Sequence, residues 1–348
     1  MRIFSKTILL ALSGALSISV VGAPAFAGVD APDGPAAADL TTHGAVNTRA
    51  DLAAAYWTPE RMAAAIPVPA TELPAADHPT EVAGPQGEQG RAEPAVPISA
   101  TSIQDAALAG VDTGSVATRW RGSKFSAPAS TSGRVFFVAD DGLNYTCSAS
   151  TVNSGGKDVV FTAGHCVHGG GAGRSWFDAS TWTFAPSYNA KKKNPTPYGL
   201  WTAWQLWSLS GWTDSGDRTH DIGAAVMQTD GWGTHIVDAV GGQGIEWNWP
   251  LEQYIYQFGY PARAPFNGKT LQYCSNWTYN DGGHEGIDCN MTEGASGGPW
   301  LDDFDGTFGW LDSVNSWVFW DSAGTRYKWN GPYFGEGARL LYEAVANL

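Results

Sequence analysis

From residue 119 to the C-terminus the chain is cut into short apolar runs: GRVFFVAD, YTCSAST, DVVFTAG, STWTFAP, TAWQLW, DIGAAVM, EQYIYQFGY, TLQYC, GIDCNM, GPWLDD and FGWLDSV, with Gly, Asn and Asp between them. Runs this short cannot give a helix a buried face, but they suit strands joined by turns. The pattern predicts an all-β sandwich or barrel. Only EGARLLYEAVANL at the end is helical in spacing, with Ala338, Leu340, Leu341, Ala344, Val345 and Leu348 on one face. About 230 residues can bury one large core or two stacked β-barrels.

The residues before this region differ in kind. Arg2 and Lys6 precede the apolar TILLALSGALSISVVG, and Ala25-Phe26-Ala27 follows as a small-x-small cleavage pattern. Residues 1–27 therefore read as a secretory signal peptide. No later run is long and apolar enough to span a bilayer. Residues 28–118 are rich in Ala, Pro, Asp and Glu and hold one of the 17 tryptophans, Trp57. Without a continuous apolar face the segment is expected to be mostly disordered, apart from a short helix over 51–66. It reads as a linker or as a cleavable pro-segment. The organisation expected is signal 1–27, pro-segment 28–118 and a folded domain 119–348.

Export makes the cysteines informative. Cys147, Cys166, Cys274 and Cys289 are an even set, and three pairings are possible. Spacing favours the local pairs Cys147–Cys166 and Cys274–Cys289, each worth roughly 3 kcal/mol in the loop-entropy picture. No C-x-x-C or H-x-x-x-H spacing occurs, so neither a metal nor an organic cofactor is expected. The formal charge is −14, and residues 28–118 carry −9 of it, twelve Asp/Glu against three Arg. An acidic surface argues against nucleic acid as a partner.

Three separated stretches hold the residue types of acyl-transfer chemistry: FTAGHCVHG with His165, RTHDIGAAVM with Asp221 and EGASGGPW with Ser296. A serine hydroxyl needs a base to take its proton, and the base needs a carboxylate to fix its tautomer. Two backbone N–H groups must then meet the oxyanion, and Gly294 and Ser296 are placed to supply them. Each stretch alone also has a plain reading: a turn, a packed core histidine, a strand cap. Asp214 and Asp217 compete with Asp221. Gly294-x-Ser296-x-Gly298 also fits the nucleophile elbow of α/β-hydrolases, but that fold places its histidine after the serine. None of the seven histidines here follows Ser296.

TAGHC, Asp221-Ile222-Gly223-Ala224 and GxSGGP resemble the chymotrypsin-like serine peptidases, and within them the secreted bacterial trypsin-like and glutamyl-endopeptidase-like branch. The likeness runs from about residue 130 to 348. It implies two antiparallel Greek-key six-stranded β-barrels, about 125–240 and 241–334, and a C-terminal helix over about 335–348. His165 and Asp221 would lie in the first barrel and Ser296 in the second. The family's cystine beside its histidine matches Cys147 with Cys166. Many members carry Asp just before the nucleophile, where it pairs with a newly released N-terminus. Here Ala295 stands there, so that activation switch is not expected. A pro-segment would then assist folding or cover the cleft, with maturation around Val116 to Ser126.

The resemblance places Asn290 at the base of the substrate pocket, with Met291, Glu293, Ser313, Val314 and Asn315 lining it. Asn290 in place of Asp disfavours Arg or Lys next to the scissile bond. The absence of a histidine after Ser296 disfavours Glu, which leaves a medium or apolar side chain. Trp176, Trp182, Trp201, Trp204, Trp207 and Trp212 cluster in one region. They read as core and loop packing first, and as a stacking platform for a sugar polymer second. Lys191-Lys192-Lys193 reads as a solvated loop tip. The expected protein is a secreted, monomeric serine endopeptidase acting on protein or peptide, away from membranes. A catalytically inactive binding protein on the same fold and an esterase using the same triad are the rivals.

Overall fold

The computed structural model describes residues 41–47, 49–69, 84–85, 87–98, 112–320 and 326–348. The signal segment 1–27 lies outside them. The first half is a ring of β1 (Ser132–Val138), β2 (Asn144–Val152), β3 (Val159–Thr162), β4 (Thr183–Pro186), β5 (Trp201–Leu209) and β6 (Gly223–Met227). Pairing runs β5-β6-β3-β2-β1-β4 and returns from β4 to β5, so the barrel closes. Every neighbouring pair is antiparallel. Nearly every residue of these strands is buried, outward-facing ones included. Alternation is therefore weak in the sequence, because the outer face is covered too.

The second half has the expected run of short strands, but its pairing departs from a single ring of six. Among the described residues a seven-stranded sheet joins Gly90–Ala92, Gly244–Trp247, Trp310–Val314, Pro299–Asp302, Tyr254–Gly259, Gln272–Trp277 and Gly114–Arg119 in that order. A four-stranded sheet joins Tyr279–Asn280, Glu285–Asp288, Arg326–Gly331 and Trp317–Trp320. Gly244–Trp247 lies parallel to Trp310–Val314, where an antiparallel neighbour was expected. Ile255, Ile287, Met291, Trp300, Val318 and Trp329 fill this half, around the Cys274–Cys289 disulfide. The whole is a trypsin-like two-barrel fold with one closed ring.

One helical expectation is corrected, and the C-terminal helix is found where it was expected. The stretch 51–66 forms two helices, Ala50–Tyr56 and Pro59–Ala64. Pro59 lacks an amide to continue the first helix but suits the first turn of the second, and Thr58 caps it by accepting from Arg61 N at 3.3 Å. The C-terminal helix spans Glu336–Val345, with Ala338, Leu340, Leu341 and Val345 buried. It stops before Leu348, which is exposed.

The described parts of 28–118 are folded against both halves, and the rest of that segment lies outside the described residues. Thr41–His43 pairs with β5, and Ile66–Pro67 lies beside β2. Trp57 is buried, donates to Thr181 O at 2.6 Å and packs its ring 5.4 Å from that of Phe136. Arg91, on the strand Gly90–Ala92, pairs with buried Glu246 at 3.0 Å. Its guanidinium lies 4.2 Å from the ring of Trp249 and 4.4 Å from that of Trp310. Glu246 shares this interior with Glu285, Asp302 and Asp312. Burial first, then Asp312 and Asp302, pushes Glu246 up to about 9, against the pull of Arg91. Burial pushes Asp312 up to about 7. None of the six clustered tryptophans is exposed: Trp182, Trp201 and Trp212 are buried, and Trp176, Trp204 and Trp207 pack against the core. That is the packing role expected first.

Candidate active site

His165 sits on a single 3-10 turn, Gly164–Cys166, just past β3. Cys166 is bonded to Cys147 on β2, which fastens the turn to the barrel. Asp221 ends a second 3-10 turn, Arg218–His220, ahead of β6. The two turns bring the pair together. Asp221 Oδ1 accepts from the His165 amide at 2.7 Å, and Oδ2 lies 2.8 Å from His165 Nδ1. With Nδ1–H donated to Asp221, Nε2 is left as the basic nitrogen. The Ser316 hydroxyl donates to Asp221 Oδ2 as well. Asp221 is buried, so these donors replace the water that a carboxylate would otherwise hold.

The competing carboxylates are engaged elsewhere. Asp217 accepts from Thr219 N at 2.9 Å and lies 3.0 Å from His220 Nδ1. His220 holds Asp217 far below the ordinary carboxylate range. Asp214 accepts from Thr213 Oγ1 at 3.0 Å.

Ser296 belongs to a loop fixed from both halves. The Ser148 amide, next to Cys147, donates to Ser296 O at 2.7 Å, and the Ser148 hydroxyl donates to Gly294 O at 2.8 Å. From the other side Asn315 Nδ2 donates to Ala295 O at 2.7 Å, and Gly297 N donates to Asn315 O at 2.7 Å. Two glycines are obligatory here. Gly294 has φ +95°, and a Cβ on it would meet Ala262 Cβ at 2.8 Å. Gly297 has φ +75°, and a Cβ on it would meet Thr162 Oγ1 at 2.0 Å and Ala163 N at 2.9 Å. The serine loop thus runs directly against the chain that leads into His165.

What the arrangement leaves unused is chemically specific. Ser296 Oγ and His165 Nε2 are buried and make no hydrogen bond. Among the described residues the amides of Gly294 and Ser296 donate to no protein acceptor. An alcohol, an imidazole nitrogen and two N–H groups are therefore each left without a protein partner. Such groups are rarely left unpaired inside a protein without a use.

The expected pocket residues are placed less uniformly. Asn290 is half-buried, and its Oδ1 accepts from Ala117 N at 2.8 Å on the strand Gly114–Arg119. Glu293 is buried beside Arg263, 3.2 Å away. Met291 and Val314 are core residues. Ser313 donates to Pro332 O at 2.8 Å. Asn315 is no pocket wall: its side chain is buried and bonded to Phe258 O, Ala295 O, Trp300 Nε1 and Gln257 Nε2. Ser148 escaped the sequence reading, since nothing but its place beside Cys147 marks it. Ser316 lies directly after the expected pocket residues Ser313, Val314 and Asn315 and carries no local mark of its bond to Asp221.

No family model matches the chain. Among solved structures, the protease Anisep of Arthrobacter nicotinovorans is 34% identical with a TM-score of 0.58, and the match covers 64% of this chain and 97% of that one. A thermostable serine protease, AL20, from an extremophilic microorganism is 36% identical with a TM-score of 0.57, over 63% of this chain and 99% of that one. The chain belongs to the chymotrypsin-like serine peptidases. A Glu endopeptidase, 20% identical with a TM-score of 0.51 over 68% of this peptidase and 98% of that chain, shares the fold. Among curated proteins, an extracellular metalloprotease of Bacillus subtilis (strain 168) is 38% identical over 93 residues. That match covers 25% of this peptidase, which spans about a quarter of that relative's length (26%). Among the described residues the metal in that relative's name finds no free set of ligands. Among the described residues the one cluster at ligand spacing is Cys147, His165 and Cys166, and its two sulfurs are joined in a disulfide.

Proposed function

We propose that this peptidase is an endopeptidase that cleaves by acyl transfer, with Ser296 as nucleophile, His165 as general base and Asp221 as its orienting carboxylate. The observation that carries the reading is the pairing of His165 with Asp221, 2.8 Å through Nδ1, while His165 Nε2 and Ser296 Oγ are left unbonded. Ser296 Oγ attacks the scissile carbonyl carbon as its proton passes to Nε2. The carbonyl oxygen takes the negative charge and accepts from the Gly294 and Ser296 amides. The C–N bond breaks as Nε2 returns the proton to the leaving amine. Water, deprotonated by Nε2, then attacks the ester and restores Ser296.

Export through residues 1–27, removal of a pro-segment 28–118 and action as a monomer outside the cell belong to the same proposal. Both disulfides suit an oxidising compartment. Among the described residues no helix is long and apolar enough to cross a membrane. A medium or apolar side chain on the acyl side of the cut remains the preference favoured by Asn290.

A diverse peptide library, digested by wild type and by Ser296→Ala, tests the proposal. Expected are internal cuts by wild type, none by the variant, and covalent capture of Ser296 by a sulfonyl fluoride. No cutting and no capture would identify an inactive binding protein. Capture with hydrolysis of small esters alone would identify an esterase.

A further inference from the structure

The chain is acidic, yet one cavity of about 430 Å³ is lined by Arg119, Arg121, Lys124 and Lys192 and by no carboxylate. Among the described residues none of the four pairs with an acid. Among the described residues the one cation–π contact of the four is Lys124 Nζ over the Phe125 ring, at 4.4 Å. Lys191 and Lys193 flank Lys192, and Lys269 is brought alongside by the 3.0 Å bond from Ala190 N to its carbonyl. The lysine run is therefore one side of a basic rim. Behind the cavity wall, Arg134 is buried with neutral partners, Thr146 Oγ1 at 3.1 Å and Gly268 O at 3.3 Å. Its guanidinium lies 5.2 Å from the ring of Tyr188, a wall residue. An arginine keeps its charge at any ordinary pH, so a fifth positive charge faces this space through one aromatic ring. Trp120, also in the wall, has a buried indole N–H with no acceptor.

The cavity adjoins the proposed catalytic loop. Tyr260, in its wall, donates its amide to Ser148 Oγ at 2.9 Å, and that hydroxyl donates to Gly294 O at 2.8 Å. We infer that the cavity is an exosite that binds an acidic stretch of a polypeptide substrate, away from the scissile bond. Two guanidinium forks and two ammonium groups on aromatic walls match side-chain carboxylates. The volume admits a few side chains and no folded domain. The net charge of −14 opposes a long anionic polymer, so attraction centres on this carboxylate-free patch.

This inference rests on the endopeptidase reading, and its test separates the two. The full chain carrying Ser296→Ala, which needs no turnover, is titrated with an oligoglutamate peptide, an oligoglutamine control and inorganic polyphosphate. Saturable binding of oligoglutamate alone among the peptides is expected, weakening with salt and falling about tenfold or more with Arg119→Ala, Arg121→Ala and Lys192→Ala combined. These side chains are exposed, so the variant folds. On the Ser296 background, a peptide substrate with a Glu-rich extension should show a lower KM and the same kcat as its Gln-rich counterpart, a difference abolished in the triple variant. Short substrates should be cut equally by both. Absent or undiminished oligoglutamate binding overturns the inference, as does polyphosphate binding ten times tighter. Peptides bound but never cut would overturn the endopeptidase reading instead.

Discussion

Replacing Asn315 by alanine removes a hub that the sequence disguises as a pocket residue. Its side chain donates to Phe258 O at 2.9 Å and Ala295 O at 2.7 Å, and accepts from Trp300 Nε1 at 2.7 Å and from Gln257 Nε2. All four partner residues are buried. Each polar group orphaned in the interior costs about 1–3 kcal/mol, so four would cost about 4–12 kcal/mol before relaxation. The vacated space is polar and large enough for a water, which recovers part of this. The expected loss is about 3–6 kcal/mol, a large part of a domain's usual stability of about 5–15 kcal/mol. Urea unfolding on the Ser296→Ala background, where self-digestion is silenced, measures it. On the Ser296 background, labelling by a sulfonyl fluoride should slow as well, because Ala295 O loses its tether beside the nucleophile. Asn315→Asp keeps the shape but turns two donors into acceptors facing carbonyls, and should be no milder. A loss below about 1 kcal/mol with an altered cleavage preference would refute the hub and restore Asn315 to the pocket.

Two further outcomes are expected. Asp221→Asn should lower turnover by about 10³–10⁴, whereas Asp217→Asn, which breaks only the pairing with His220, should change it little; equal losses would reassign the orienting carboxylate. Stability should fall as pH rises between about 5 and 9, because Glu246 and Asp312, at about 9 and about 7 in the fold, keep protons that the unfolded chain releases near 4.5 and 3.8. Glu246→Gln with Asp312→Asn should flatten that slope, and thermal unfolding across the range reads it directly.

The parts of the site that were legible in sequence are those carried by contiguous residues. His165 is announced by its neighbour Cys166, and Ser296 by glycines that cannot be replaced without collision. Asp221 was preferred to Asp217 and Asp214 by resemblance alone, since the fold decides which carboxylate meets the imidazole. Ser148 left no mark, because it acts through hydrogen bonds to Ser296 and Gly294 in the other half, and no local pattern encodes a partner over a hundred residues away. Asn315 was marked only as a pocket residue, and its four side-chain partners, 15 to 58 residues away in its own half, are set by strand pairing that the sequence does not spell out. The strands at 41–43, 90–92 and 114–119 were missed for a related reason. Each lies at a sheet edge and takes its order from a neighbour, so its own composition need not be apolar. The helix break at Pro59 was readable from Thr58-Pro59, but the alanine content outweighed it.

With Asn290 at the base of the pocket, as proposed, the bond from the Ala117 amide to Asn290 would make the N-terminal region a silent participant in selectivity. Ala117 lies inside the stretch where scission would free the mature enzyme. A cut that unhooks this strand would leave the Asn290 carbonyl oxygen to seek a new donor at the base of the proposed pocket. The enzyme before and after trimming would then present different chemistry to an incoming residue, so the history of the chain is written into what it selects.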